Sequence, residues 1–218
     1  MGYALRSNLT YCDIDDRLVF LDVEADRYFC LHDSVEARFR ALAAGTTDIA
    51  PSDVLVRLGL VEEVPGDLYP RPCADHNRPS RSLLDGEPAK PSLRAVLGAL
   101  TRLALARRAL RRGGLARLLH ELRKRKARLP SCVARPPSKL EHLAHDFERT
   151  ARLMRSHDQC LPRAITLAGM AMARGINVEL VIGVQLRPFA AHAWVRSGSS
   201  LVNERVDTAL AYTPILVL

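Results

Sequence analysis

The sequence predicts an α+β protein built of two unequal parts. Three observations carry that expectation: strand-like runs crowd the first third of the chain, a segment rich in Pro, Gly, Ser, Asp and Arg interrupts it at 67–91, and helical patterns followed by strand patterns fill the remainder. At 218 residues the chain is longer than one typical domain and shorter than two large ones. The expected division is a small domain at 1–66, a linker at 67–91 and a medium domain at 92–218.

In the first part, apolar runs at 9–14, 18–22 and 28–31 are separated by turn residues Asp15-Asp16 and Ala25-Asp26, which reads as a three-stranded meander. Asp33 is placed to cap a short helix whose Val35, Phe39 and Leu42 share one face, with Gly45 suited to end it. A further short helix at 52–58 and a strand at 60–64 complete a miniature winged-helix-like arrangement. Beyond the linker, helices at 93–111 and 115–128 are broken by Gly113-Gly114. Ser138 with Glu141 three residues on forms a capping box, and Leu140, Leu143, Ala144, Phe147, Ala151 and Met154 follow at three-and-four spacing. A helix at 159–174, stopped by Gly175, precedes strands at 178–186, 190–196 and near 201–204.

Composition excludes several classes. No basic-then-apolar N-terminal stretch with a small-residue cleavage site is present, and Arg interrupts every long apolar run, so a cytoplasmic protein without a membrane span is expected. The five cysteines, Cys12, Cys30, Cys73, Cys132 and Cys160, are scattered and never spaced Cys-x-x-Cys, which argues against a disulfide framework and a zinc site. Reduced thiols are expected, and one of them can be reactive. No Gly-x-x-x-x-Gly-Lys segment or metal-ligand cluster occurs, so neither a nucleotide nor a metal cofactor is expected.

The net charge of +8 is uneven: residues 92–128 hold ten Arg and two Lys against Glu121 alone, which is +11 and leaves −3 for the rest. Two amphipathic helices with solvated Arg faces, or an electrostatic footprint for an acidic partner, would both produce this pattern. A winged-helix nucleic-acid-binding protein with an Arg-rich arm would also use it, but the small domain is acidic, the opposite of a DNA footprint.

The chemistry-bearing residues lie in the second part. Cys160 opens a helix, with Asp158 available as cap and Pro162 tolerated in the first turn; unpaired amides and the helix dipole there favour a thiolate. A cysteine filling a helix-sheet contact would look the same at that position alone. His192 alternates with Trp194 and Arg196 on one face of a strand, and an acidic or amide residue follows on the next. The order Cys, His, Asp/Asn/Glu is that of papain-like and transglutaminase-like nucleophile sites, in which His takes the thiol proton and the third group fixes the imidazole. A three-residue loop at 197–199 would set Glu204 opposite His192, whereas a two-residue Gly198-Ser199 loop would bring Asn203 to that face. Glu204 is preferred because a carboxylate better stabilises an imidazolium, with Asn203 and then Asp207 behind it.

Three segments, Cys160-Leu161-Pro162-Arg163, the run 175–183 and Pro188-Phe189-Ala190-Ala191-His192-Ala193-Trp194-Val195, resemble the transglutaminase-like leader peptidases of lasso peptide biosynthesis. The resemblance covers about 138–207. Leu18-Val19-Phe20-Leu21-Asp22 with Asp26-Arg27-Tyr28-Phe29-Cys30-Leu31 is similar to precursor-recognition domains related to pyrroloquinoline quinone biosynthesis chaperones. Both halves in one chain match the fused form of the lasso leader peptidase. Departures are Glu204, where members often carry Asp, and a shortened helical stretch after Gly45.

The resemblance implies a cysteine protease with Cys160, His192 and Glu204 as catalytic residues and a lasso precursor peptide as substrate. It also implies an ATP-dependent asparagine-synthetase-like cyclase as partner, which would account for any ATP requirement. Its leader would lie along Tyr28, Phe29, Cys30 and Leu31 and pack near Val54, Leu55 and Leu58, adding a strand to an open sheet edge. Those apolar residues are equally suited to be core. A transglutaminase-type acyl transferase would use the same Cys and His with an amine acceptor.

Overall fold

A computed structural model describes residues 2–46, 53–75, 77–86, 93–130, 138–153 and 159–218. They form two compact units, Met1–Ala74 and Asp75–Leu218, and the fold is α+β.

The first unit contains β1 (Gly2–Leu5), β2 (Leu9–Ile14), β3 (Arg17–Asp22), β4 (Arg27–Cys30), α1 (Asp33–Ala43), α2 (Val54–Arg57) and β5 (Val61–Val64). β2, β3 and β4 make the antiparallel meander. Asp15 and Asp16 both take positive φ, 48° and 59°, which is the two-residue hairpin geometry that Asp tolerates. Tyr11, Phe20 and Phe39 interlock beneath the sheet, with Phe39 meeting Phe20 edge-on at 5.1 Å between centroids. β1, which the sequence analysis did not expect, pairs with β5 in a separate two-stranded sheet.

The α1 cap differs from expectation. His32 occupies the cap position, its Nδ1 3.3 Å from Ser34 Oγ and making no side-chain bond to a helix amide, and Asp33 is the first helical residue, where its carboxylate accepts from Arg17 at 2.8 Å. A carboxylate in the first turn still favours the helix through its dipole. In α2 the cap is Asp53, whose carboxylate accepts from the Leu55 amide at 2.9 Å. The expected start at 52 lies outside the described residues.

The expected linker at 67–91 is corrected over its described part, 67–75 and 77–86. Leu68 O accepts from Tyr3 and the Cys73 amide donates to Tyr11 O on the outer edge of β2, so 67–74 belong to the first unit. Asp75 begins the second unit, and Arg81–Ser82 form a strand in its sheet. Backbone hydrogen bonds to an exposed sheet edge need no apolar side chains, which is why a Pro- and Arg-rich composition misread as linker.

The second unit runs β6 (Arg81–Ser82), a 3-10 turn (Leu83–Asp85), α3 (Leu93–Leu110), α4 (Leu115–Lys126), α5 (Ser138–Leu153), α6 (Cys160–Met172), β7 (Glu179–Gln185), β8 (Ala190–Ser197), β9 (Ser200–Leu201), α7 (Val206–Leu210) and β10 (Thr213–Val217). Strand order is β10-β7-β8-β9-β6, antiparallel throughout except that β6 runs parallel to β9. α6 is apolar nearly all round, with nine of thirteen residues buried, and packs against β7 and β8 and against α3, α4 and α5. Buried Leu103, Leu115, Leu119, Leu140, Leu143 and Phe147 line the helical side of this core. Met154 and residues 131–137 lie outside the described residues. No helix among the described residues is long and apolar enough to cross a membrane.

Candidate active site

Cys160 is the first residue of α6, where the helix presents unpaired amides. Asp158, expected as its cap, lies outside the described residues; Gln159 holds the cap position without a side-chain cap bond. Pro162 sits in the first turn, where its missing N–H removes no helical bond. The other described cysteines, Cys12, Cys30 and Cys73, all lie in the first unit and are joined in no disulfide.

β8 delivers His192, which lies opposite Gly183 of β7. The imidazole stands between aromatic neighbours, with Tyr212 at 5.2 Å and Trp194 at 6.0 Å between ring centroids. Gly183 makes room for both: a Cβ there would lie 2.7 Å from the Trp194 ring and 2.9 Å from Tyr212 Cβ.

Glu204, of the three candidates, meets the histidine: its Oε2 lies 2.6 Å from His192 Nε2, with both side chains 19% exposed. The route differs from the one expected. Ser197 pairs with Ser200 and Arg196 with Leu201, so the β8–β9 turn is the two-residue Gly198-Ser199 loop, Gly198 taking φ 58°. Continued regularly, that register would carry Asn203 to the His192 face. The strand instead ends at Leu201. Val202 N donates to Val195 O, and Asn203 Oδ1 accepts from Val195 N at 2.8 Å. Asn203 thus ties the chain back to β8, and the turn after it swings Glu204 to the imidazole. Asp207 is exposed on α7.

With Nε2 directed to Glu204, Nδ1 is the ring nitrogen left for Cys160, which is also hydrogen-bonded to His192. Burial opposes charge on His192, but bonds to Cys160 and Glu204 and their negative charges override it and push its pKa up to about 9. Burial likewise raises the Cys160 thiol, yet the His192 hydrogen bond and charge, with the Ala193 and Leu161 amides, bring it below its ordinary value. The Glu204 carboxyl is lowered against its burial by His192, the Arg205 amide and Thr208. All three shifts favour a thiolate–imidazolium pair backed by a carboxylate. The three residues open on a small cavity of about 110 Å³, also lined by Phe147, Glu148, Gln159 and Arg163. A wider depression of about 790 Å³ on α3, between Thr101 and Arg112, contains no nucleophile.

A family description of the transglutaminase-like superfamily matches residues 97–217, which is over half the chain and takes in all three site residues. The chain belongs to the transglutaminase-like superfamily. Over 45 residues it is 38% identical to the microcin J25-processing protein McjB of Escherichia coli, a stretch equal to 21% of this chain and 22% of that protein. No solved structure matches.

In the first unit, β4 is an edge strand, paired only with β3 among the described residues. The expected leader-contacting residues separate by burial. Leu55 is 0% and Leu31 7% exposed, and both belong to the core, while Phe29 stacks on Phe20 at 5.3 Å and Val54 packs against the same cluster. Tyr28 is half-buried, and Cys30 and Leu58 are exposed. Leu31 and Leu55 are therefore corrected to core residues, both buried in the cluster that holds Phe20 and Phe39. Sequence reasoning missed the parts played by Gly183 and Tyr212 beside the imidazole and by Thr208 at the Glu204 carboxylate. A glycine opposite an expected histidine on the neighbouring strand was the available signal for the first; Thr208 and Tyr212 depend on a chain reversal through α7 that leaves no periodicity.

Proposed function

We propose that this chain is a cysteine endopeptidase that binds the leader of a ribosomally made lasso peptide precursor and hydrolyses the leader–core bond. The observation that carries the reading is the constellation of Cys160 at the start of α6, His192 on β8 and Glu204 after β9, with shifts that favour the ion pair. Superfamily membership and likeness to a protein named for processing microcin J25 support it.

Cys160 Sγ attacks the scissile carbonyl carbon and forms a C–S bond, while first-turn amides of α6 are available to the developing oxyanion. His192 Nδ1 gives its proton to the departing core amine as the C–N bond breaks. Water then attacks the thioester, His192 takes its proton, and the leader carboxylate leaves as the C–S bond breaks. Glu204 keeps the ring oriented and stabilises its charged form. The leader adds to the β4 edge of the first unit near Tyr28, Cys30 and Leu58, and the freed amine passes to an ATP-dependent asparagine-synthetase-like cyclase.

The test incubates a lasso precursor peptide, leader and core together, with the parent and with Cys160→Ala, followed by mass spectrometry and by anisotropy of a labelled leader. The parent is expected to release leader and core, and Cys160→Ala to bind the leader without cutting it. Cleavage by Cys160→Ala would end the cysteine-protease reading. Amine-adducted leader without hydrolysis would convert it to acyl transfer.

A further inference from the structure

The segment after Ala74 is fastened along the far edge of the second unit's sheet. Arg196, 2% exposed, pairs with Asp75 at 2.6 Å and donates to Asn77 O at 2.8 Å. Ser80 N donates to Ser199 O, and Arg81 Nε donates to Ser200 Oγ at 2.7 Å. β6 then pairs Arg81 with Ser200 and Ser82 with Leu201. Past Leu201 the chain has left the regular strand, and there the buried Ser82 hydroxyl donates to Glu204 O at 2.7 Å while accepting from Leu84 N at 3.2 Å.

Glu204 is thus held from two sides. Its carboxylate is directed at His192 and takes the Arg205 amide at 2.9 Å; its carbonyl is pinned by Ser82. A residue in an irregular turn lacks the ladder that fixes a strand residue, so a buried hydroxyl on its carbonyl fixes the backbone from which the side chain reaches His192, Thr208 and the Arg205 amide. We propose that Ser82 is a positioning residue for the Glu204 carboxylate, and that β6 is thereby part of the site's support. The proposal rests on the reading of Cys160, His192 and Glu204 as the catalytic group.

If Glu204 drifts from His192, the imidazolium loses part of its stabilisation and the thiolate loses part of its counter-charge. Loss of the hydroxyl should therefore move the pH limb for Cys160 thiolate formation to higher pH, and the alkaline limb of turnover to lower pH. At neutral pH, kcat should fall about three- to tenfold, as one lost buried hydrogen bond implies, with KM unchanged because Ser82 touches no substrate.

The experiment measures iodoacetamide incorporation at Cys160 against pH by peptide-resolved mass spectrometry, in the full chain, for the parent, Ser82→Ala, Ser82→Thr and Ser82→Val. Thr and Val have the same shape, so their difference isolates the hydroxyl even where Ser82→Ala fails to fold. Parent-like profiles for Ser82→Thr with shifted profiles for Ser82→Val support the proposal. Coincident profiles for Ser82→Thr and Ser82→Val, in a parent whose Cys160 reacts below the ordinary thiol range, overturn it. A parent whose Cys160 shows no such reactivity removes the catalytic reading itself, and the proposal falls with it.

Discussion

Exchanging Glu204 for Gln removes one charge while keeping the length and an oxygen within reach of His192, so it isolates the electrostatic part of the contact. That contact is short, 2.6 Å, and only 19% of each side chain is exposed, so solvent screens it incompletely. Burial alone would hold His192 below its ordinary 6.5; Cys160 and Glu204 together carry it to about 9. For a group raised in this way the charged form is present at low pH and is lost as pH rises through about 9. Deleting one of its two anionic neighbours should therefore move the alkaline limb of activity down by about one to three pH units. The acid limb should move up, because the Cys160 thiolate is held down chiefly by the same imidazolium. The active window narrows from both ends, and turnover at neutral pH falls by about 10²–10⁴-fold. The assay is the rate of iodoacetamide incorporation at Cys160 across the pH range, followed by precursor cleavage at each pH. Coincident limbs in parent and Glu204→Gln would refute the electrostatic account, whatever the loss of turnover.

Removing Met1–Ala74 should raise KM for the full precursor far more than it lowers kcat, since leader binding is assigned to that unit; an unchanged KM in steady-state kinetics would sink the assignment. Charge reversal at Arg123, Lys124 and Arg125, in the basic last turn of α4, should weaken binding to the proposed cyclase or to an acidic leader in a salt-dependent way, and titrations that agree with the parent at two salt concentrations would favour solvated faces. Gly183→Ala forces a methyl against Trp194 and Tyr212 and should cost about 1–3 kcal/mol, seen as a lowered Tm in thermal melts.

The meander of the first unit was legible because apolar runs of strand length stand on either side of the Asp15-Asp16 turn, which sets their register. The helices at 93–110 and 138–153 were legible because apolar residues recur at helical spacing, and the one at 160–172 because Gly175 bounds an apolar run of helical length. Cys160 and His192 were legible for a different reason: a helix start and a strand face are local facts, each readable within a few residues. Glu204 was named correctly as the neighbour of His192 from a wrong loop length. The ladder rule that relates loop length to partner holds only while both strands continue, and β9 stops after Leu201.

What could not be read is what depends on chain brought from far away. β6 has two residues, Arg81 and Ser82, which carry no apolar periodicity, and its partner lies over a hundred positions later, the Ser82–Glu204 bond spanning 122. Its stability comes from a backbone ladder and from the buried Arg196 guanidinium paired with Asp75 and Glu179, and composition does not register either. The consequence bears on how the two halves can be separated. A cut after Ala74 leaves Asp75, Arg81 and Ser82 with the second unit, whereas a cut at 91, where composition ends the linker, would take the Glu204 carbonyl's hydroxyl partner away with the N-terminal half. The same chain divided at those two points should therefore give two different enzymes: one deficient in recognition, and one deficient in the chemistry as well.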